Sequence, residues 1–153
     1  MINKKVLPVG SYVAVYGSSV NLMVCQVIEV LRNDTVRVVI FGQTQDDGRY
    51  KTGKIYPFPL ASLEGISCLW FHLSEFGFTD SDEKGWNLVY WFGTDMKLLY
   101  RADYKKEIAY FRFKNIHRKS YVRISCRYIH ELQNIMCFLT GGELEFEYKK
   151  LQL

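Results

Sequence analysis

Residues 107–127 read EIAYFRFKNIHRKSYVRISCR, and the alternation in this stretch decides the fold class. In Glu107–Lys114, Ala109, Phe111 and Phe113 fall on one parity, while Tyr110, Arg112 and Lys114 fall on the other. In Tyr121–Arg127, Val122, Ile124 and Cys126 alternate with Tyr121, Arg123, Ser125 and Arg127. Successive side chains of a strand point to opposite faces, so each segment has an apolar side and a basic-aromatic side. The connection Asn115–Ser120 is short enough to make the two segments antiparallel neighbours, which makes the two basic sides one continuous face. The next segment offers cover for the apolar side. Tyr128, Ile129, Leu132, Ile135, Met136 and Leu139 recur at helical spacing and predict a helix over Tyr128–Leu139, stopped by Gly141 and Gly142.

Working outward, Trp86–Phe92 and Lys97–Arg101 read as further strands, and Leu144–Tyr148 as a last edge strand. The first third of the chain is also strand-like. Ser11–Tyr16 alternates, Met23–Leu31 is β-branched, Arg32-Asn33-Asp34 makes a turn, and Thr35–Phe41 and Lys54–Phe58 continue the meander. Gly42–Gly53 is a polar, glycine-bearing loop, open to two readings: a lid over a ligand, or a disordered excursion. After Pro57 and Pro59, the spacing of Leu63, Ile66, Leu69, Trp70 and Leu73 predicts a helix from about Ser62 to Phe76, with Gly77 as its stop. Thr79–Gly85 is an acidic turn. The expected fold is α+β in a single compact domain spanning 1–153. Residues 1–58 form a strongly bent antiparallel small barrel or half-barrel, 59–78 a connecting helix, and 86–153 a second antiparallel sheet with a C-terminal helix.

Charge is unevenly spread. The 153 residues carry a net +4, yet residues 97–127 alone hold ten basic and two acidic side chains. The flanking 1–96 and 128–153 are each slightly acidic, so one segment supplies any field felt by an anionic partner. At 48% apolar and 24% charged residues the chain has a globular composition, which excludes disorder and collagen-like repeats. No apolar run approaches the roughly 18 residues of a membrane span, and the first residues do not form a signal peptide; the expectation is a cytoplasmic protein with no membrane partner. Cys25, Cys68, Cys126 and Cys137 form no CxxC pair and lie in apolar stretches, so all four are expected to pack as small hydrophobes.

Three stretches together carry a family resemblance. They are Leu7-Pro8-Val9-Gly10-Ser11-Tyr12-Val13, Pro57-Phe58-Pro59-Leu60 followed later by Gly77-Phe78, and the closing Tyr128–Leu144 (YIHELQNIMCFLTGGEL). In these the chain resembles a group of small uncharacterised proteins of Bacteroidota genomes and their phages, whose last helix reads close to Y-V-H-x-L-Q-N-L-Y-F-x-L-T-G-x-E-L. Ile129, Ile135, Met136 and Cys137 depart from that pattern apolar for apolar, and Phe138 stands where a small residue is usual. The resemblance implies a phage or mobile-element origin in a bacterial host. It implies no biochemical activity, so function has to be read from the site.

The candidate site is the basic-aromatic face of Tyr110, Arg112, Lys114, Tyr121, Arg123 and Arg127, interleaved within a segment that also holds Tyr100 and Tyr104. Guanidinium forks bind phosphate bidentately, and tyrosine rings offer bases a stacking surface. The competing reading is a sheet face kept wet by its charges. His130, with Gln133 and Asn134, lies on the helix side away from the apolar stripe and is the remaining candidate; its competing role is to fix the helix through hydrogen bonds. His72, His117 and His130 form no HxH or HExxH pattern, and neither a P-loop nor a G-x-S-x-G elbow occurs. Glu143, Glu145 and Glu147 alternate as a charged edge would. The expectation is therefore a non-enzymatic protein with no catalytic residues, no metal and no cofactor. It binds a phosphate-bearing, nucleotide-like small molecule, in its concrete form as a sponge for a nucleotide immune signal. The alternatives are a nucleic-acid-binding accessory module and a virion structural or host-protein-inhibiting protein. Assembly into a homo-oligomer stands open.

Overall fold

Strand periodicity carries through most of the chain in the computed structural model, which describes residues 7–18, 21–45, 48–69 and 71–142. The chain divides into two compact units, with the boundary between Ile66 and Ser67. In the first, β1 (Tyr12–Ser18), β2 (Asn21–Val30), β3 (Thr35–Gln43) and β4 (Ile55–Pro59) form an antiparallel meander. A short β5 (Leu63–Glu64) returns to pair with Ala14 and Val15 of β1, so the sheet order is β4-β3-β2-β1-β5. Register shifts after Val24 and Val27 on β2, and between Tyr16 and Ser18 on β1, insert unpaired residues that bend the sheet. The bend wraps Val13, Val15, Met23, Cys25, Val27, Val36, Val38 and Ile40 around a single core. Among the described residues the sheet does not close, so the expected barrel is an open, curved sheet. Its prolines lie in β4, an edge strand, where a missing N–H costs no ladder bond.

The Gly42–Gly53 segment is pinned where it is described. The Asn21 amide donates to Gln43 Oε1 and accepts from the Gln45 N–H, and Gln43 Nε2 donates to the Tyr50 carbonyl. The Lys51 N–H donates to the Tyr56 hydroxyl.

The expected connecting helix over 59–78 does not form. Leu60–Ser62 is one 3-10 turn, Leu63 and Glu64 are sheet, and Phe71–Phe76 is a second 3-10 segment. Leu63, Ile66 and Leu73 are buried as their spacing implies, but burial at three- and four-residue intervals does not require a helix. Gly65 interrupts the run at a cost of about 1 kcal/mol to any helix interior. The backbone groups on either side are satisfied elsewhere: Leu63 on β1, and the Cys68 N–H on the Arg127 carbonyl. The glycine stop holds. Gly77 takes φ +94°, and the N–H of Phe78 reaches back to the Leu73 carbonyl.

In the second unit, β6 (Thr79–Asp80), β7 (Leu88–Phe92), β8 (Met96–Asp103), β9 (Ile108–Asn115) and β10 (Tyr121–Cys126) run antiparallel in the order β10-β9-β8-β7-β6. On one face Phe78 meets Tyr90, Tyr100 and Phe111 at ring-centroid distances of 5.4, 6.4 and 6.3 Å, and Phe92 meets Phe113 edge-on at 6.0 Å. Each such ring pair adds about 0.5–1.5 kcal/mol beyond its burial. Helix α1 (Ile129–Thr140) packs beside β10 and buries Ile129, His130, Leu132 and Met136. The Glu131 carboxylate accepts the N–H groups of Arg127 and Tyr128 at its start, and Gly141 closes it in the left-handed conformation.

Three expectations are corrected here. His130 faces inward instead of away from the apolar stripe, because helix and sheet bury one more position than the stripe alone indicates. Cys137 is exposed, unlike the three buried cysteines, because it lies on the helix side turned from the core. Leu139 is exposed too, near the end of α1. The expected strand Leu144–Tyr148 and the glutamates Glu143, Glu145 and Glu147 lie outside the described residues. Among the described residues no helix is long and apolar enough to cross a membrane.

Candidate functional site

The outer face of the second sheet is built by register. In the antiparallel pair of β9 and β10, Arg112 lies directly opposite Arg123, Tyr110 opposite Ser125, and Lys114 opposite Tyr121. On the other side of β9, Arg101 of β8 is paired with Tyr110, Leu99 with Arg112, and Lys97 with Lys114. Paired residues share a face, so three rows of side chains project together from three strands.

The ten basic residues of 97–127 separate into distinct groups. Lys97 and Lys114 both reach the Glu83 carboxylate, Lys114 Nζ at 3.3 Å and Lys97 in the closer contact. Burial pushes the Glu83 carboxyl up, but the two lysine hydrogen bonds and their charges outweigh it and hold the group below its usual range. Lys105, Lys106, Arg118 and Lys119 sit in the connections on either side of β9. Arg127 is exposed beyond the end of β10. The remaining three, Arg101, Arg112 and Arg123, have no carboxylate within ion-pair distance among the described residues.

These three are matched by aromatic rings. Arg101 lies 5.4 Å from the centre of the Tyr110 ring and 5.3 Å from that of Trp86. Arg112 lies 5.0 Å from Trp86 and 4.0 Å from Tyr121, and Arg123 lies 5.6 Å from Tyr121. The result is one ladder: Tyr110, Arg101, Trp86, Arg112, Tyr121, Arg123. Each rung contributes about 0.5–1 kcal/mol where exposed and more where dry. Arg123 Nη2 also donates to the Tyr121 hydroxyl at 3.1 Å. That bond, with the nearby Arg112 charge, holds the Tyr121 phenol below its ordinary value, and the same bond raises Arg123.

The ladder borders a pocket of about 380 Å³. Arg101, Arg112, Arg123 and Trp86 wall it, and Tyr110 and Ser125 lie beneath. Phe111 and Ile124 also line it, although their side chains are buried on the opposite face, so part of the floor is the backbone of β9 and β10. Ser125 opposite Tyr110 is the small residue that leaves the room. Arg112 Nε is buried in this wall with no hydrogen-bond partner, a donor left without an acceptor at a cost of about 1–3 kcal/mol.

Of the expected site residues, Tyr110, Arg112 and Arg123 line the pocket, and Tyr121 braces two of the arginines. Lys114 is engaged by Glu83 on the same face, and Arg127 lies outside the lining. His130 is not on this face. It is buried against Tyr128, rings stacked at 5.7 Å, and its Nδ1 has no partner. Burial pushes its imidazole below the ordinary value, against the smaller opposing pull of Glu131. Tyr100 belongs to the buried aromatic face and Tyr104 to the connection after β8, so neither joins the site. Two contributors were not anticipated. Arg101 carried a signal, since Lys97, Leu99 and Arg101 alternate in phase with the basic face. Trp86 carried none, because it reaches the face from the connection before β7. Among the described residues no three His, Cys, Asp or Glu side chains cluster as a metal site would need. In comparisons with protein-family models, curated proteins and solved structures, nothing matches the chain.

Proposed function

We propose that the protein binds a phosphate-bearing, nucleotide-like small molecule on the outer face of the second sheet and holds it without transforming it. The observation that carries this reading is the set of three guanidiniums around one pocket, each over an aromatic ring and none matched by a carboxylate among the described residues. Two unit charges about 7 Å apart repel by about 2 kcal/mol at an effective dielectric of about 20. Cation–ring contacts of about 1 kcal/mol offset only part of that repulsion. An anion in the pocket relieves the rest. A guanidinium held over a ring keeps its charge, and its remaining N–H donors can grip phosphate oxygens. Trp86 and Tyr110 offer ring surface to a base.

Together with the resemblance, itself an expectation from sequence, to small proteins of Bacteroidota genomes and their phages, this supports a role as a sponge that sequesters a nucleotide signal of host defence. The test is a melting-temperature panel of mononucleotides, cyclic nucleotides and ADP-ribose-type compounds, followed by denaturation and recovery of the bound compound. A stabilising nucleotide released intact is the expected result. An unchanged melting temperature across the panel overturns the reading.

A second reading has its own support. Arg118, Lys119 and Arg127 are exposed and extend the positive charge beyond the pocket, as a track for a nucleic-acid backbone would. Such binding weakens steeply with salt through counterion release, whereas an enclosed small ligand shows a shallow slope. Titration of a single-stranded oligonucleotide and a mononucleotide at two salt concentrations separates the two.

A further inference from the structure

The three arginines are not equivalent in position. Arg112 and Arg123 are direct cross-strand partners on β9 and β10, while Arg101 stands on β8, one strand further and one row away, opposite Tyr110. Directly opposed side chains in an antiparallel pair start about 5 Å apart, and diagonal neighbours about 7–8 Å apart. With strands about 4.8 Å apart, Arg101 and Arg123 start more than about 10 Å from each other. Arg112 and Arg123 share Tyr121, whereas Arg101 rests on Tyr110 and meets Arg112 only through the Trp86 ring, away from Arg123. The Arg101–Tyr110–Ser125 row, whose small hydroxyl side leaves the pocket open, runs alongside the Leu99–Arg112–Arg123 row, with Arg101 and Arg123 at opposite ends of the two.

We infer that the pocket has two anion subsites, an Arg112–Arg123 pair and a separate Arg101, and that its ligand is a nucleotide carrying two anionic groups held apart by a sugar-sized spacer. This inference rests on the nucleotide-binding reading above and narrows it. A single phosphate satisfies the Arg112–Arg123 pair and leaves Arg101 unmatched across the pocket. A nucleoside with phosphates at both its 3′ and 5′ positions, or a dinucleotide with a terminal phosphate, spans both subsites. The spacer then lies over the Tyr110–Ser125 row, with Trp86 beside it for the base.

The experiment is calorimetric titration with adenosine 5′-monophosphate and adenosine 3′,5′-bisphosphate, on the native chain and on Arg101→Gln. Arg101 is exposed, so the variant keeps the fold, as its melting temperature will report. In the native chain the bisphosphate should bind at least tenfold more tightly than the monophosphate. In Arg101→Gln that advantage should collapse to less than threefold, because the bisphosphate loses far more affinity than the monophosphate. Equal affinity of the native chain for both compounds, or a variant that weakens both alike, overturns the two-subsite inference and leaves nucleotide binding standing. Binding of neither compound, in a chain whose melting temperature also ignores the wider nucleotide panel, overturns both.

Discussion

Each of the two sheets of this protein has five antiparallel strands among the described residues, and they treat arginine in opposite ways. In the first sheet Arg37 lies across from Glu29 on the neighbouring strand and donates to its carboxylate at 2.9 Å. That pair is exposed, its charges cancel, and it contributes under about 1 kcal/mol. In the second sheet Arg101, Arg112 and Arg123 rest on rings, which hold a cation in place without neutralising it. A carboxylate partner fixes an arginine and silences its field; an aromatic partner fixes it and leaves the field intact. The lysines of the second sheet follow the first rule, since Glu83 takes both Lys97 and Lys114. On the strands of this face, the cations left without a carboxylate are thereby the three ringed arginines.

The sharpest way to break this contrast is charge reversal on each sheet. Arg112→Glu with Arg123→Glu should weaken nucleotide binding by more than about 100-fold in calorimetry, since each lost charge-assisted contact removes about 1.5–3 kcal/mol. Arg37→Glu should leave binding unchanged. Equal losses from both would show that net charge, not the ringed arginines, attracts the ligand.

Glu83→Gln probes the boundary between matched and unmatched cations. It leaves Lys97, which is nearly buried, without its anion, and should lower unfolding free energy by about 2 kcal/mol in chemical denaturation. The same change frees two positive charges on the binding face and should tighten anion binding at low salt. Looser binding would mean that Glu83 positions the pocket as well as neutralising the lysines.

A pH series addresses the residue that left the site. The His130 imidazole is held below its ordinary value in the folded chain, while the unfolded chain titrates near about 6.5. Below that value the unfolded state takes up a proton the folded state refuses, so stability is complete above it and falls as the solution is acidified. The melting temperature should drop between about pH 7 and pH 5.5, above the range where carboxylates titrate. His130→Gln should flatten that drop, and an unchanged slope would assign it to other groups. The smallest effect belongs to the first sheet: Arg37→Ala should cost no more than about 0.5 kcal/mol by denaturant unfolding, and less in high salt.

What could be read from the residues alone follows a simple physical division. Most strands of the second sheet and the continuous basic face of β9 and β10 were legible, because alternation has a period of two and a six-residue connection makes the two segments antiparallel neighbours. The helix after the prolines was misread, since Leu63, Ile66 and Leu73 are buried by strand pairing and 3-10 turns that produce the same spacing. His130 was placed outside because a polar residue flanking an apolar stripe reads as exposed until the neighbouring sheet is known. Glu83 and Trp86 were out of reach for another reason. Their connection folds back over a face built by strands up to forty residues later, and no periodicity encodes such a return.

That connection runs from Ser81 to Asn87, between β6 and β7. It brings the indole that walls the cleft and the acid that quiets the lysines on a single short span between β6 and β7. Changes in those few positions would retune which anion is accepted, and how strongly, while the ladder of strands beneath stayed as it is. Under the proposed function, ligand preference in this architecture would be an exchangeable attachment, and relatives that diverge in this span should differ in what they capture before they differ in how they fold.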